Sequence, residues 1–204
     1  MRNLKLLLAP ITLAMIISGC GPKANDTTQA AETGAADLAS DAAVTASDAA
    51  ADIKQALTPT PTGQEFADTA AKSDAFEIAE AKLVEMQSKS PALKHFAMMM
   101  MKDHHQSTAL IKQAAGEASP VITPDATLSD SLNSKIADLK KLQGDDFGHA
   151  YIDQQIDAHK DALALMSNYA EKGEVASLKA AAGKIKPKVQ MHLDAIKAIK
   201  GKMS

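Results

Sequence analysis

The sequence predicts an all-α fold: a four-helix, up-and-down bundle with a short extra helix in the long connection. Apolar residues recur at the alternating three-and-four spacing of amphipathic helices throughout the second half of the chain. No run alternates apolar and polar residues with the Val, Ile and Thr enrichment that a strand requires. The helical part, residues 64–204, has the ordinary size of one domain with one core.

Breaks in the apolar pattern define five helices. Ser90 before Pro91 suits a capped helix start with proline at the first helical position. Pro120 lies in a turn-rich connection, and Gly173 marks a later boundary. Pro187 interrupts the last apolar period, so we expect that helix to kink or restart there. The predicted helices span residues 64–88, 91–117, 128–142, 146–171 and 174–201.

Each of three apolar stripes carries one histidine at a core position. His104 and His159 both lie near the middle of their helices, so antiparallel packing would bring them to one level. The bend expected at Pro187 would aim His192 inward. A buried imidazole is costly unless it is hydrogen-bonded, paired or bound to a metal, and we therefore predict one shared site. The stripes are Leu93, Ala97, Met100, His104, Ser107 and Ile111; Ile152, Ile156, His159, Leu163 and Met166; and Leu178, Ala182, Ile185, Val189, His192, Ile196 and Ile199.

Carboxylates and one phenol lie near these histidines. Glu77 and Glu80 are three apart on the inner side of the first helix, which suits a ligand and a hydrogen-bond acceptor behind the ligands. Asp103 lies beside the first stripe, directly before His104, and is predicted to orient an imidazole or to bind directly. Tyr151 is predicted to be buried, where its hydroxyl needs an acceptor such as a ligand carboxylate.

This residue set predicts one transition-metal ion: zinc, iron or copper. Three histidines and Glu77 can saturate a tetrahedral zinc. Paired Glu-x-x-His motifs of carboxylate-bridged di-iron sites are missing, since no glutamate lies three residues before any of the three histidines. Ligand atoms within about 5 Å of one another would support a single site, given metal–ligand bonds of roughly 2 Å.

The methionine run Met98–Met101 offers a second kind of ligand. Thioethers are soft and would select copper(I). Four successive residues, however, point around the whole helix, so at most two can face one site, and flexible core filling is the preferred interpretation. The remaining histidines, His95, His105 and His149, lie off the stripes and are expected to be exposed.

The N-terminus predicts export. Arg2 and Lys5 precede an apolar run, Leu6–Ile17, and residues 1–19 are therefore interpreted as a signal peptide too short to span a bilayer. Residues 20–63 are rich in Ala, Thr and Asp and nearly lack large apolar side chains, so they are predicted to form a disordered tether.

Two resemblances extend this interpretation. Residues 17–20, Ile-Ser-Gly-Cys, resemble the bacterial lipoprotein box, which implies cleavage before Cys20 and lipid on that residue. The residue after Cys20 is Gly21 rather than aspartate, and in this respect the sequence resembles lipoproteins of the outer membrane. The domain also carries an ordered set of motifs: Phe66-Ala67, Ala70-Ala71, Glu77 and Leu83; Phe96-Ala97, Met100 and Asp103-His104; Phe147, Tyr151, His159 and Ala162-Leu163; and Pro187 with His192-Leu193. In their order and spacing these motifs resemble the DUF4142 family of bacterial envelope proteins.

The family resemblance implies a ferritin-like bundle on the periplasmic side of the envelope, without an established biochemical function. The positions that match the family's motif are Glu77, Asp103, His104, Tyr151, His159 and His192.

Composition narrows the function classes. The net charge is −3 with both signs interspersed, so no nucleic-acid surface is expected. Tryptophan is absent and aromatics are 3% of residues, which argues against a base-stacking platform or a carbohydrate groove. A lipid-anchored metal-binding bundle is the leading hypothesis. The alternative is a structural or interaction module with a metal-free buried network; an enzyme acting through metal-bound water is the third hypothesis, and an enzymatic role is not favoured.

Overall fold

A computed structural model describes residues 59–203. The predicted signal peptide, Cys20 and the tether up to residue 58 lie outside the described residues. Within residues 59–203 the chain forms five helices and no strand. They are α1 (Gly63–Gln87), α2 (Pro91–Gly116), α3 (Asp130–Lys141), α4 (Gly144–Lys172) and α5 (Ala176–Met203). The all-α prediction is confirmed, and every predicted helix end lies within two residues of the observed one.

Side-chain caps explain where the helices begin. Thr62 and Glu65 form a reciprocal capping box at the start of α1. The hydroxyl of Ser90 accepts a hydrogen bond from the Leu93 amide at 3.4 Å, and Ser129 caps α3 in the same way. Each cap stabilises its helix by roughly 1 kcal/mol because it satisfies an amide that has no partner within the helix.

The four long helices bury two apolar clusters, one toward each end of the bundle. Helix α1 packs on α2, α4 on α5, α2 on α5, and α1 on α4, while α3 contacts α1 and α4. The first cluster is centred on Phe66, Ile111, Met166, Tyr169 and Leu178. The second cluster is centred on Leu93, Phe96, Phe147, Tyr151 and Ile196.

The order of the two clusters along each helix gives its direction. Helices α1 and α5 run from the first cluster to the second, whereas α2 and α4 run from the second to the first. Packed neighbours are therefore antiparallel. Helices α1 and α2 run in opposite directions, as do α4 and α5, whereas α2 and α4, on either side of the long connection, run in the same direction. The segment 117–143, which contains α3, returns the chain along the bundle.

Of the kink or restart predicted at Pro187, the restart does not occur, because helix α5 continues through that residue without a break. Both Pro187 and Gly183, whose carbonyl loses its helical partner, are exposed. That carbonyl lies on the solvent side, where water can satisfy it. None of the helices in residues 59–203 combines the length and apolarity that a transmembrane span requires.

Candidate metal centre

A layer of buried polar side chains separates the two apolar clusters. All four long helices contribute to it, each from the stretch that lies between its contacts with the two clusters. Because neighbouring helices are antiparallel, mid-helix residues meet at one height. The buried polar residues of this layer are Asp74, Glu77, Glu80, Asp103, His104, Gln155, His159 and His192.

The three stripe histidines meet in the middle of the layer. Each ring offers one nitrogen, and these three atoms all lie within 4.8 Å of one another. The ring centroids of His104, His159 and His192 are 5.4 to 5.9 Å apart. All three side chains are at least 95% buried. The predicted convergence within about 5 Å is observed.

Each imidazole is held from behind by an acceptor on a ring nitrogen. Nδ1 of His104 is 2.7 Å from Oδ1 of Asp74. Nδ1 of His159 is 2.8 Å from the carbonyl oxygen of Gln155, one helical turn earlier on α4. Nε2 of His192 is 3.0 Å from Oδ2 of Asp103. Since carboxylates and carbonyls only accept, each of these nitrogens donates, which fixes the orientation of the ring.

The second nitrogen of every ring lacks a hydrogen-bond partner in the described part of the chain. These atoms are Nε2 of His104, Nε2 of His159 and Nδ1 of His192, and Oε2 of Glu77 is in the same state. Oε2 of Glu77 lies 2.6 Å from Nε2 of His104, without hydrogen-bond alignment, and 3.9 Å from Nε2 of His159. The nitrogens of His159 and His192, which have no such close charged partner, are expensive to bury, at about 1–3 kcal/mol each.

These separations are close to those of a metal shell. Two ligands bound about 2 Å from a tetrahedral ion are about 3.3 Å apart. The two distances from Glu77, 2.6 and 3.9 Å, lie on either side of that value. The spread of the histidine nitrogens, up to 4.8 Å, would close with side-chain shifts of about 1 Å. Three histidines and a carboxylate can therefore hold one ion.

Two residues of the site, Glu77 and His104, are charged. Burial alone would raise the pKa of Glu77, but the attraction of His104, His159 and His192 lowers it to about 2. Burial opposes charge on His104 as well, yet the adjacent Glu77 and Asp74 carboxylates raise its pKa. His104 and Glu77 thus form a buried ion pair when no metal is bound.

The other two imidazoles stay neutral. Burial lowers the pKa of His159, and repulsion from charged His104 acts in the same direction. Burial lowers the pKa of His192 to about 4, although its hydrogen bond to Asp103 opposes this. Neutral imidazole is the form that binds metals, so these two rings need no proton loss before coordination.

Glu80 and Tyr151 are the other two predicted supporting residues. Glu80 is fully buried, and its Oε2 accepts a hydrogen bond at 2.7 Å from the side chain of Gln155, whose carbonyl holds His159. Tyr151 is fully buried beside Phe96 and Phe147, and its hydroxyl has no hydrogen-bond partner among the described residues. The predicted bond from Tyr151 to a ligand carboxylate is therefore not made, because the ring is held by aromatic packing.

Asp103 does orient an imidazole, but that imidazole belongs to a different helix. It lies on α2 next to His104, yet its carboxylate holds His192 of α5 and also accepts a hydrogen bond from Lys188 at 3.1 Å. Burial alone would raise the pKa of Asp103, but these two hydrogen bonds lower it. The carboxylate therefore stays charged behind His192.

Sequence reasoning missed Asp74 and Gln155. Asp74 is 95% buried and binds both His104 and the Thr108 hydroxyl, which donates to its Oδ2 at 2.8 Å. Its position, four residues after Ala70 and three before Glu77, follows the helical spacing of the inner face and was the signal available. Gln155 acts on His159 through its backbone carbonyl, for which the sequence carries no signal.

A small cavity opens beside the centre. It measures about 20 Å³, which is room for about one water molecule, and is lined by Asp74, Asp103, His104, Lys188 and His192 among others. The polar wall faces the site, while Met166 and its apolar neighbours form the remaining wall. The cavity lies against two of the three histidines.

The methionine run is divided between core and surface. Met100 is fully buried and fills the second apolar cluster, as expected, whereas Met98 is 52% exposed. The predictions for the other histidines are confirmed, since His95, His105 and His149 are all exposed.

Comparison with known proteins identifies the family. No curated protein and no solved structure matched the chain. Residues 46–199, more than half of the chain, match DUF4142, described as "Domain of unknown function (DUF4142)". The match includes three of the long helices in full, α5 as far as residue 199, and every histidine of the centre. The chain belongs to the DUF4142 family.

Proposed function

We propose that this protein binds one transition-metal ion at the bundle centre, through His104, His159, His192 and Glu77. The observation that carries the proposal is that the two nitrogens of each imidazole have different surroundings. One nitrogen of every ring is held by an acceptor, and the other is buried near the other two rings. That of His104 faces Glu77 at 2.6 Å, and those of His159 and His192 have no hydrogen-bond partner among the described residues. Metal-binding histidines have this arrangement, in which the outer hydrogen bond fixes the tautomer and raises ligand basicity.

The donor set favours a borderline metal. Imidazole suits zinc, copper and iron, and the single carboxylate adds one negative charge. Asp74 and Asp103 add two further charges directly behind the rings. A divalent ion would therefore face net negative surroundings once His104 has lost its proton. Zinc, iron and copper all remain within the proposal.

A metal-free role as a structural or interaction module is the second candidate function. The buried ion pair of His104 and Glu77 favours it, because that pair supplies internal charge compensation. Such a network is stable only when its members are satisfied. The unpartnered nitrogens of His159 and His192 weigh against it. No reaction is assigned, since the cavity beside the centre has room for about one water molecule.

We further propose a ferritin-like bundle tethered to the envelope by lipid on Cys20, facing the periplasm from the outer membrane. The single long connection between parallel α2 and α4 supports the ferritin-like topology. The lipoprotein-box resemblance supports the anchor. Incorporation of labelled palmitate should be lost in Cys20→Ser, and Gly21→Asp should move the protein to the inner membrane. Equal labelling of Cys20→Ser and the unaltered chain would refute the anchor.

Metal content tests the proposed function. The purified full chain in detergent is stripped with a chelator and titrated with Zn²⁺, and the melting temperature and the bound zinc are measured. We expect one zinc per chain and a higher melting temperature. His104→Gln and His159→Gln should lose both effects, while His149→Gln, on the exposed side of α4, should keep them. Zinc content at background together with an unchanged melting temperature would contradict metal binding.

A further inference from the structure

A groove on the surface beside the metal centre is lined by sulfur and imidazole side chains. Helix α2 contributes His95, Met98 and Met99, and α5 contributes Met191. Met98 is 52% and Met191 is 41% exposed, and they are two of the four large hydrophobic side chains that are exposed in residues 59–203. Solvent exposure of two methionines from different helices in one groove is not explained by core packing.

Helix geometry holds these side chains together. His95 and Met98 are three residues apart on α2 and are therefore neighbours on its surface, about 5–6 Å apart at Cβ. Helix α5 packs against α2, and the 3.0 Å hydrogen bond between His192 and Asp103 fixes their register at this level. Met191 directly precedes His192 and lines the same groove as Met98.

The ligand chemistry selects a soft ion. Thioether sulfur and imidazole bind monovalent copper, whereas hard cations require oxygen ligands. The charged residues of the groove are Lys102, Asp103 and Lys188, two positive and one negative, so they sum to +1. Thioethers add no charge to offset this, and a divalent ion meets twice the repulsion of a monovalent one. Charge and softness therefore favour copper(I) over zinc or copper(II).

We propose that this groove binds one monovalent copper ion through Met98, Met191 and His95, with Met99 beside them. The site is separate from the histidine centre and does not depend on metal binding there. Asp103 and Lys188 line both the groove and the interior cavity, so the surface site lies directly outside the interior one. The two shared residues form an ion pair 3.1 Å long, and His192 lines the cavity on its inner side.

The affinity test uses the full chain in detergent, with Cu(I) kept reduced by ascorbate under anaerobic conditions and a chromophoric Cu(I) chelator as competitor. Met98→Leu/Met191→Leu removes both sulfurs and keeps the side-chain size, and circular dichroism verifies the fold. We expect this variant to bind one Cu(I) fewer per chain, or to bind that ion with a much lower affinity. The loss of affinity should exceed about 10–100-fold, which is typical when only a residue behind a metal ligand is removed. The matched control is Met86→Leu, whose parent side chain is 71% exposed elsewhere, and its binding should equal that of the unaltered chain.

Methyl NMR locates the ion. Silver(I), a diamagnetic substitute for Cu(I), should shift the Met98 and Met191 methyl signals and leave Met86 in place. Shifts confined to buried Met100 and Met166 would place the ion in the interior and overturn the proposal. Equal Cu(I) stoichiometry and affinity in the double variant and the unaltered chain would overturn it as well.

Discussion

Replacing Glu80 with glutamine should remove a large part of the pH dependence of stability. Glu80 is fully buried, and its Oε2 accepts a hydrogen bond from the Gln155 side-chain amide at 2.7 Å. Burial raises its pKa from 4.5 to about 8, although the Gln155 bond partly opposes this. Glutamine has the same shape, and its amide oxygen can accept the same hydrogen bond.

The direction of the pH dependence follows from the number of protons that the folded and unfolded states bind. In the unfolded chain Glu80 loses its proton near pH 4.5, but in the folded protein it keeps the proton until about pH 8. Between these values the folded state binds more protons, so the free energy of unfolding falls as pH rises. The loss is about 1.4 kcal/mol per pH unit, or about 2–3 kcal/mol between pH 5 and 7. Glu80→Gln has no such proton to lose.

Urea denaturation of metal-free protein between pH 5 and 8 measures this effect. We expect Glu80→Gln and the unaltered chain to have similar stability near pH 5, and the variant to become progressively more stable toward pH 8. Glu171→Gln, at an exposed position of α4, is the control and should follow the unaltered chain. Parallel profiles for Glu80→Gln and the unaltered chain would refute the reasoning.

Three further substitutions test the core and the layer behind the centre. Phe66→Ala removes a fully buried ring stacked on Tyr169 at 3.9 Å and should cost about 3–5 kcal/mol in urea unfolding; a loss below about 1 kcal/mol would be inconsistent with this packing. Asp103→Leu removes the acceptor behind His192 and should weaken Zn²⁺ binding about 10–100-fold by calorimetry, so unchanged affinity would argue against its positioning role. Tyr151→Phe removes a buried hydroxyl without a hydrogen-bond partner in residues 59–203 and should leave unfolding free energy equal or about 1 kcal/mol higher; a marked loss would reveal a partner.

The helices and the convergence of the histidines could be predicted because both follow from one-dimensional spacing. An apolar period of 3.6 residues defines the inner face, and His104, His159 and His192 occupy that face at core positions. Capping residues such as Ser90 define the helix starts locally. These features depend on residues that are close in the chain.

Features that depend on which helices are neighbours could not be predicted. Asp103 was predicted to orient an imidazole, but spacing could not indicate that this would be His192 of another helix, which it holds because α2 packs on α5. The hydroxyl of Tyr151 was expected to find an acceptor, but aromatic packing on Phe96 and Phe147 fixes the ring elsewhere. The parallel run of α2 and α4 depends on the path of the long connection, for which spacing carries no information.

X-ray absorption of the zinc-loaded full chain tests the central claim most directly. The proposed site predicts one zinc with three imidazole nitrogens at about 2.0–2.1 Å and one carboxylate oxygen at about 2.0–2.2 Å. His104→Gln should lose this spectrum, and His149→Gln should keep it. A shell of oxygens alone, or a three-imidazole shell that persists in His104→Gln, would contradict the assignment of the ion to the bundle centre.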